Sequence, residues 1–172
     1  MPAAVLVPVR ALAGGEIDVV FTLRRDDLRH HAGEISFPGG RHDVADASLR
    51  ETALREAEEE IGLARAHVRL LGELSPVSTF ATGYEIHPFV GQIPQGMAWR
   101  ASSSEVDAVL ELPLSALRSG QSKVRLERRG ITFQTDAYTV GDHMIWGATA
   151  RILAELLERI SHDCDGDMLS LP

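Results

Sequence analysis

Four glutamates crowd the segment Arg55-Glu56-Ala57-Glu58-Glu59-Glu60-Ile61-Gly62-Leu63, a short distance after Phe37-Pro38-Gly39-Gly40. Carboxylates that meet at one point hold hard divalent cations, and a bound cation lets an acidic surface accept a phosphate. At about 100° of rotation per residue, Glu56, Glu59 and Glu60 share one helix face and Leu54, Ala57 and Ile61 another, while Glu58 points away. Glu56 and Glu60 form an i, i+4 like-charge pair, which costs an isolated helix roughly 0.2–0.5 kcal/mol and needs an offsetting partner. Arg55, four residues before Glu59, is near enough to orient that carboxylate. The Phe-Pro-Gly-Gly turn is able to bring backbone carbonyl oxygens against the helix. Such oxygen ligands suit Mg²⁺ or Mn²⁺, whereas zinc prefers His or Cys. A face of solvated charges also satisfies this run, and spacing alone leaves both readings open. Glu51 and Glu58 read as solvated charges.

The elements that must carry these residues are legible in outline. Runs rich in β-branched residues predict strands over 4–9, 17–23, 67–74, 85–93, 106–112 and 131–140, separated by Gly, Pro, Ser or charged clusters. Helical periodicity covers about Ala47 to Gly62 and about Ile145 to Ile160, with Gly62 where a helix stop belongs and Trp146 assigned to the terminal helix core. Many strands with one central and one terminal helix predict an α/β fold, a mixed sheet with helices on its faces. The connection 92–105 is the longest polar one and a candidate mobile segment. The chain has 172 residues, which suits one core, so 1–172 reads as a single domain. A formal net charge of −8 argues against a general nucleic-acid or anionic-membrane surface. The lone Cys164 leaves nothing for an intrachain disulfide. With no basic leader and no bilayer-spanning run, the expectation is a soluble cytoplasmic protein, and a homodimer is compatible with it.

The run from Gly40 to Leu63 resembles the Nudix box, G-x5-E-x7-R-E-U-x-E-E-x-G-U with U aliphatic, and "REAEEEIGL" carries its second half. In the first half Asp46 replaces the glutamate, and eight residues rather than seven separate it from Arg55. That departure is expected of one subgroup, the coenzyme A pyrophosphatases. Thr22 to Leu63 is similar to their extended signature through Arg24, Leu28, Arg29, His31, Gly33, Glu34, Asp43, Asp46 and Thr52, with Arg25 where a serine is usual. "FATGYEIHPFVG" (80–91) and "IWGATARILAELL" (145–157) resemble two further segments of that subgroup, so the likeness spans most of the chain.

The resemblance implies a Nudix α/β/α sandwich around a mixed sheet, and metal-dependent hydrolysis of coenzyme A or its derivatives to 3′,5′-ADP and 4′-phosphopantetheine. It implies Glu56, Glu59, Glu60 and the Gly40 carbonyl as ligands of Mg²⁺ or Mn²⁺, with Glu59 or Glu60 also acting on the water. Arg55 is the orienter of these groups, and Glu105 the fourth carboxylate, brought in by a loop. Arg24, Arg25, Arg29 and His31 form the only concentrated basic region, expected to recognise coenzyme A through its 3′-phosphate. That cluster also reads as a surface loop balancing Asp26 and Asp27. Phe80 and Trp99 are candidates for stacking an adenine or for simple packing. The alternatives are hydrolysis of ADP-ribose, NADH or a nucleoside triphosphate, and a non-catalytic Nudix-fold nucleotide sensor.

Overall fold

The structure, a computed structural model, describes residues 1–25, 33–79, 83–102, 104–128 and 130–162. Arg29, His31, Phe80 and Cys164 lie outside the described residues. The first strand, β1 (Pro2–Ala11), runs through the middle of the principal sheet. Its alternation sends Ala4 and Leu6 to one face and Val7 and Val9 to the other, as the period of two requires. On one side it lies parallel to β7 (Glu85–Gln92), in register from Pro2 with Glu85 to Val9 with Gln92. On the other it pairs antiparallel with β4 (Gly39–Arg41) through Ala3 to Val5, and with β2 (Ile17–Arg24) through Val9 to Ala11. Pro8, which has no N–H to donate, falls between those two paired stretches.

β3 (Ile35–Ser36) and β8 (Val106–Pro113) extend the sheet beyond β2, and β5 (Arg69–Glu73) and β6 (Val77–Ser78) pair with β7, completing eight strands among the described residues. Helix α1 (Leu49–Ile61) covers one face, burying Ala53, Leu54, Ala57 and Ile61 against Ala4, Leu6, Val20 and Phe89. Helix α3 (Gly147–His162) covers the other, packing Leu153 and Leu156 against Val7, Val19 and Phe21. The fold is therefore an α/β/α sandwich on a mixed sheet. A short α2 (Leu114–Ser119) leads into a separate antiparallel sheet of β9 (Gln121–Arg128), β10 (Ile131–Val140) and β11 (His143–Trp146). Among the described residues, no helix is long and apolar enough to cross a membrane.

Three expectations are corrected here. β9 is a full strand, although "QSKVRLER" offers only Val124 and Leu126 as apolar residues and so carries little strand signal. The terminal helix begins at Gly147, because Ile145 and Trp146 pair with Tyr138 and Ala137 across the second sheet. Trp146 is accordingly a half-buried strand residue tilted against Phe133, with ring centroids 6.4 Å apart, and not helix core.

A buried ion pair crosses the α1 side of the sheet. Arg10 Nη2 donates to Asp18 at 2.6 Å and Nη1 to Glu111 at 2.8 Å, and Trp99 Nε1 donates to the same Glu111 oxygen at 2.7 Å. Arg10 and Asp18 are 8% and 6% exposed, so neither charge is solvated if the other is lost. Asp18→Ala is expected to cost about 3 kcal/mol in urea unfolding, and Arg10→Met with Asp18→Leu less than Asp18→Ala alone, since no buried charge is then stranded. A loss under about 1 kcal/mol for Asp18→Ala would show that water reaches Arg10.

Candidate functional site

Helix α1 has well-defined ends, which sets the phase of its acidic face. Ser48 caps the start, its Oγ accepting from Glu51 N at 3.3 Å, and Gly62 ends the helix in the left-handed region at φ 71°. The phase inferred from spacing holds on the apolar side, since Leu54, Ala57 and Ile61 are buried. On the acidic side the three carboxylates occupy different depths. Glu60 is 5% exposed, the Glu56 side chain 17% and the Glu59 side chain 61%.

The glycine turn sits between α1 and β1 with no space to spare. A Cβ on Gly39 would lie 2.4 Å from the Ala4 carbonyl oxygen, and one on Gly40 would lie 2.4 Å from Glu56 Oε1. Phe37 anchors the approach by stacking on Phe21 at 4.7 Å, and Leu6 N donates to the Pro38 carbonyl at 2.9 Å. The Gly39 N–H then donates to Glu60 Oε2 at 3.1 Å. Spacing alone does not reveal this donor, whose trace is the paired glycine itself.

Arg55 organises the other side of the cluster. Its Nε and Nη2 grip Asp46 at 2.9 and 3.0 Å, Nη1 reaches Glu56 at 2.9 Å and Glu59 at 3.1 Å, and Nη2 also donates to the Arg41 carbonyl at 3.4 Å. The fork on Asp46 is the bidentate geometry a guanidinium favours. Asp46 also accepts from Thr52 Oγ1 at 2.8 Å and from Asp43 N at 3.2 Å. Hydrogen bonds from Arg55 above all, and then from Thr52 and the Asp43 backbone, hold the Asp46 carboxyl well below the usual carboxylate range. Behind it, His42 Nδ1 meets Thr52 Oγ1 at 2.9 Å. Since the Thr52 hydroxyl gives its proton to Asp46, His42 is the donor in that contact. Thr52 is fully buried, and its place three residues before Arg55 in "TALR" is the sequence trace of this support.

Glu59 is drawn outward onto Arg55, so the carboxylates converge less closely than the helical wheel suggests. Among the described residues, no group of three or more His, Cys, Asp or Glu side chains is gathered to hold a metal ion. Glu56 and Glu60 do lie together at the turn, and burial raises the pKa of both. For Glu60 the value is pushed up to about 7, with the Glu56 and Glu105 charges adding to burial, and the Gly39 N–H and Arg24 opposing it. These oxygens, deprived of water and crowded by like charge, are hard donors that suit Mg²⁺ or Mn²⁺.

The loop before β8 is tied to the end of α1. Arg100 N donates to the Ile61 carbonyl at 3.1 Å and Ser102 N to the Glu60 carbonyl at 2.7 Å, so this part of the predicted mobile connection closes the helix. It carries an exposed Glu105 near enough for its charge to act on Glu56 and Glu60. Arg25 N donates to the Glu105 carbonyl at 3.1 Å, bringing the basic segment of β2 alongside. Trp99, bound to Glu111, packs with the α1-side core. Glu51 and Glu58 both turn to Arg65, at 2.8 and 3.5 Å, away from the cluster.

Comparison with known proteins bears on the family and the fold. The NUDIX domain pattern matches residues 1–131. The chain is 42% identical over 160 residues to the uncharacterized Nudix hydrolase NudL of Salmonella paratyphi B, covering 92% of this chain and 82% of that protein. Its structure is similar to a MutT/nudix family protein from Enterococcus faecalis, with a TM-score of 0.68 and 14% identity over 98% of this chain and 64% of the other. It is also similar to the NUDIX domain of Shewanella oneidensis NrtR complexed with ADP ribose, with a TM-score of 0.55 and 17% identity over 69% and 76% of the two chains.

The burial of Glu60 has a signed consequence for stability. Its folded pKa of about 7 lies above the ordinary 4.5, so ionisation is disfavoured in the folded state. The group is without effect below about pH 4.5 and removes stability as pH rises to about 7, up to about 3 kcal/mol. Asp46 has the opposite sign, contributing stability above its ordinary pKa of 3.8 that is lost as pH falls below it. In EDTA, Glu60→Gln is therefore expected to be more stable than the wild type by about 3 kcal/mol near pH 8 and equal to it near pH 4.5, by urea unfolding. A variant less stable than the wild type near pH 8 would contradict the burial of a disfavoured charge.

Proposed function

The chain belongs to the Nudix family, and from that membership we propose that it hydrolyses the pyrophosphate bond of coenzyme A or its derivatives. One water adds across the P–O–P bridge, which breaks to leave 3′,5′-ADP and 4′-phosphopantetheine. The observation that carries hydrolysis is the carboxylate pair of half-buried Glu56 and buried Glu60, seated on a glycine turn with Glu59 and Glu105 at its margin. Support for coenzyme A comes from the extended motif Thr22 to Leu63, whose Arg24 charge acts on Glu60 and whose Arg25 backbone is bonded to Glu105, and from "IWGATARIL" at the terminal helix. Residues 1–172 act together as a single Nudix unit in this reading.

Glu56, Glu59, Glu60 and the Gly40 carbonyl would hold the divalent cation, Mg²⁺ or Mn²⁺, which when bound neutralises phosphate charge and acidifies water. Glu60 uses Oε2 to take the Gly39 N–H and keeps Oε1 for a ligand or a proton. Glu59 or Glu60 takes the proton of the attacking water. Arg55 acts by positioning, fixing Glu56 and Glu59 from Asp46. Arg25, with Arg29 and His31 outside the described residues, receives the 3′-phosphate, while Phe80, also outside them, is the candidate adenine platform. A nucleotide sensor has no use for such a carboxylate set, which weighs against that alternative.

Two experiments test this reading. Mg²⁺ or Mn²⁺ is expected to raise the melting temperature near pH 8, and EDTA to reverse it, through preferential binding to the folded state. A melting temperature indifferent to both would leave only a solvated acidic face. The second is product analysis by mass across coenzyme A, dephospho-coenzyme A, ADP-ribose, NADH and a nucleoside triphosphate. Coenzyme A is expected to be cleaved with kcat/KM about tenfold to a hundredfold above dephospho-coenzyme A, the value of one charge-assisted contact. Glu60→Gln should lose orders of magnitude in turnover and Glu58→Gln almost none. Greater efficiency on ADP-ribose than on coenzyme A would transfer the assignment to the other Nudix substrates, and binding without turnover to the sensor.

A further inference from the structure

The antiparallel sheet of β9, β10 and β11 is separate from the sheet that carries the glutamates, and β9 is its edge. Among the described residues β9 pairs with β10 alone, in unbroken register from Gln121 with Tyr138 to Arg128 with Ile131. Burial stops early along this ribbon. Ala137 and Tyr138 are buried, whereas no residue from Gln121 to Glu127 or from Ile131 to Asp136 is, and Ile131 is 68% exposed. At about 3.4 Å per residue, the ladder runs roughly 17 Å past its last buried row. The outer edge of β9 has no proline, no bulge and a full strand's length, so it is open to a further strand unless its charges forbid one.

Alternation divides β9 into two faces. Half-buried Val124 and Leu126 lie opposite Thr135 and Phe133, and Trp146 tilts against Phe133 beside them. Exposed Lys123, Arg125 and Glu127 lie on the other face, opposite Asp136, Gln134 and Thr132. The charges are of both signs.

We propose that β9 pairs antiparallel with β9 of a second copy of this chain, about a two-fold axis through Arg125, so that two three-stranded sheets become one. The proposal is independent of the substrate reading. In this register Val124 faces Leu126 of the second copy, and the apolar stripe of Phe133 and Leu126 continues across the axis into Val124 and Thr135. On the other face Lys123 meets Glu127 of the second copy, which places each Lys123 between that glutamate and its own Asp136. Symmetry repeats the arrangement. The two Arg125 side chains meet on the axis with Glu127 of both copies as neighbours, and over the joined face Glu127 and Asp136 balance Lys123 and Arg125 in charge. Other registers lose this match. An axis between two residues opposes the apolar stripe to the charged face. An axis at Val124 sets Lys123 against Arg125, and one at Leu126 shortens the ladder from 122–128 to 124–128.

The test uses the full chain and sedimentation equilibrium over a concentration series. The wild type is expected to be a dimer. Glu127→Lys, which sets two lysines against each other twice, should weaken association at least about tenfold, and Lys123→Glu with Glu127→Lys should return it toward the wild-type value. A residue on the axis has its Cα about 4.5–5.5 Å from its copy, within disulfide reach. In a Cys164→Ser background, Arg125→Cys should therefore form a disulfide-linked dimer on mild oxidation, and Lys123→Cys, whose copies lie about 14 Å apart along the ladder, should not. Circular dichroism and melting temperature check that each variant is folded. A wild type that is monomeric throughout the series, a dimer unmoved by Glu127→Lys, or crosslinking as fast in Lys123→Cys as in Arg125→Cys overturns the proposal.

Discussion

The contact on which the site depends is the absence of side chains at Gly39 and Gly40. Each approaches a neighbour so closely that a single methyl would overlap it, Gly39 against the β1 backbone and Gly40 against the Glu56 carboxylate. That approach, and not an unusual φ, is why glycine is required at position 39, while a methyl at position 40 would displace the Glu56 carboxylate. It brings a backbone N–H within reach of Glu60 and lets α1 lie down on β1, so the helix, the turn and the central strand are set by one contact. Phe37, driven into the core on the α3 side, supplies the apolar anchor for a turn whose working surface is polar.

From that contact follows a concentration of negative charge that must be balanced locally. Burial of Glu56 and Glu60 disfavours their ionised forms, and the chain answers with positive groups of two kinds. Arg55 is fully committed to carboxylates and a carbonyl of its own chain, with Asp46, Thr52 and His42 stacked behind it as a rigid support. Arg24 is fixed in its backbone by Glu34 and Gly33, and its charge favours ionised Glu60. The replacement of the usual glutamate by Asp46, one residue further from the arginine, is accommodated because Thr52 and the Asp43 N–H hold the shorter side chain in place.

The loop before β8 shows how a connection is made part of a site. Its end gives two backbone N–H groups to the last carbonyls of α1, which would otherwise lack partners. Trp99 reaches Glu111, which is held by the buried Arg10, so the same loop is fastened to the sheet. Glu105 is thereby delivered to the margin of the cluster from a segment that has no periodicity of its own.

Much of this was determined by the sequence alone. The β-rich runs of β1, β2 and β7 and the 3.6-residue stripe of α1 are local properties of the chain, so a mixed sheet with helices on its faces and the shared face of Glu56, Glu59 and Glu60 were legible without coordinates. So was the pairing of Arg55 with Glu59, because a helix places i and i+4 together whatever surrounds it. The rest depended on residues distant in sequence. Strand β9 exists because β10 gives its polar residues a ladder, not because its composition demands one. Trp146 left the helix because Ala137 pairs with it. The unequal depths of the three glutamates and the saturation of Arg55 are differences in burial and in hydrogen-bond count. Those quantities belong to the packed assembly of β1, β2, β8 and α1, and no segment of the chain carries them by itself.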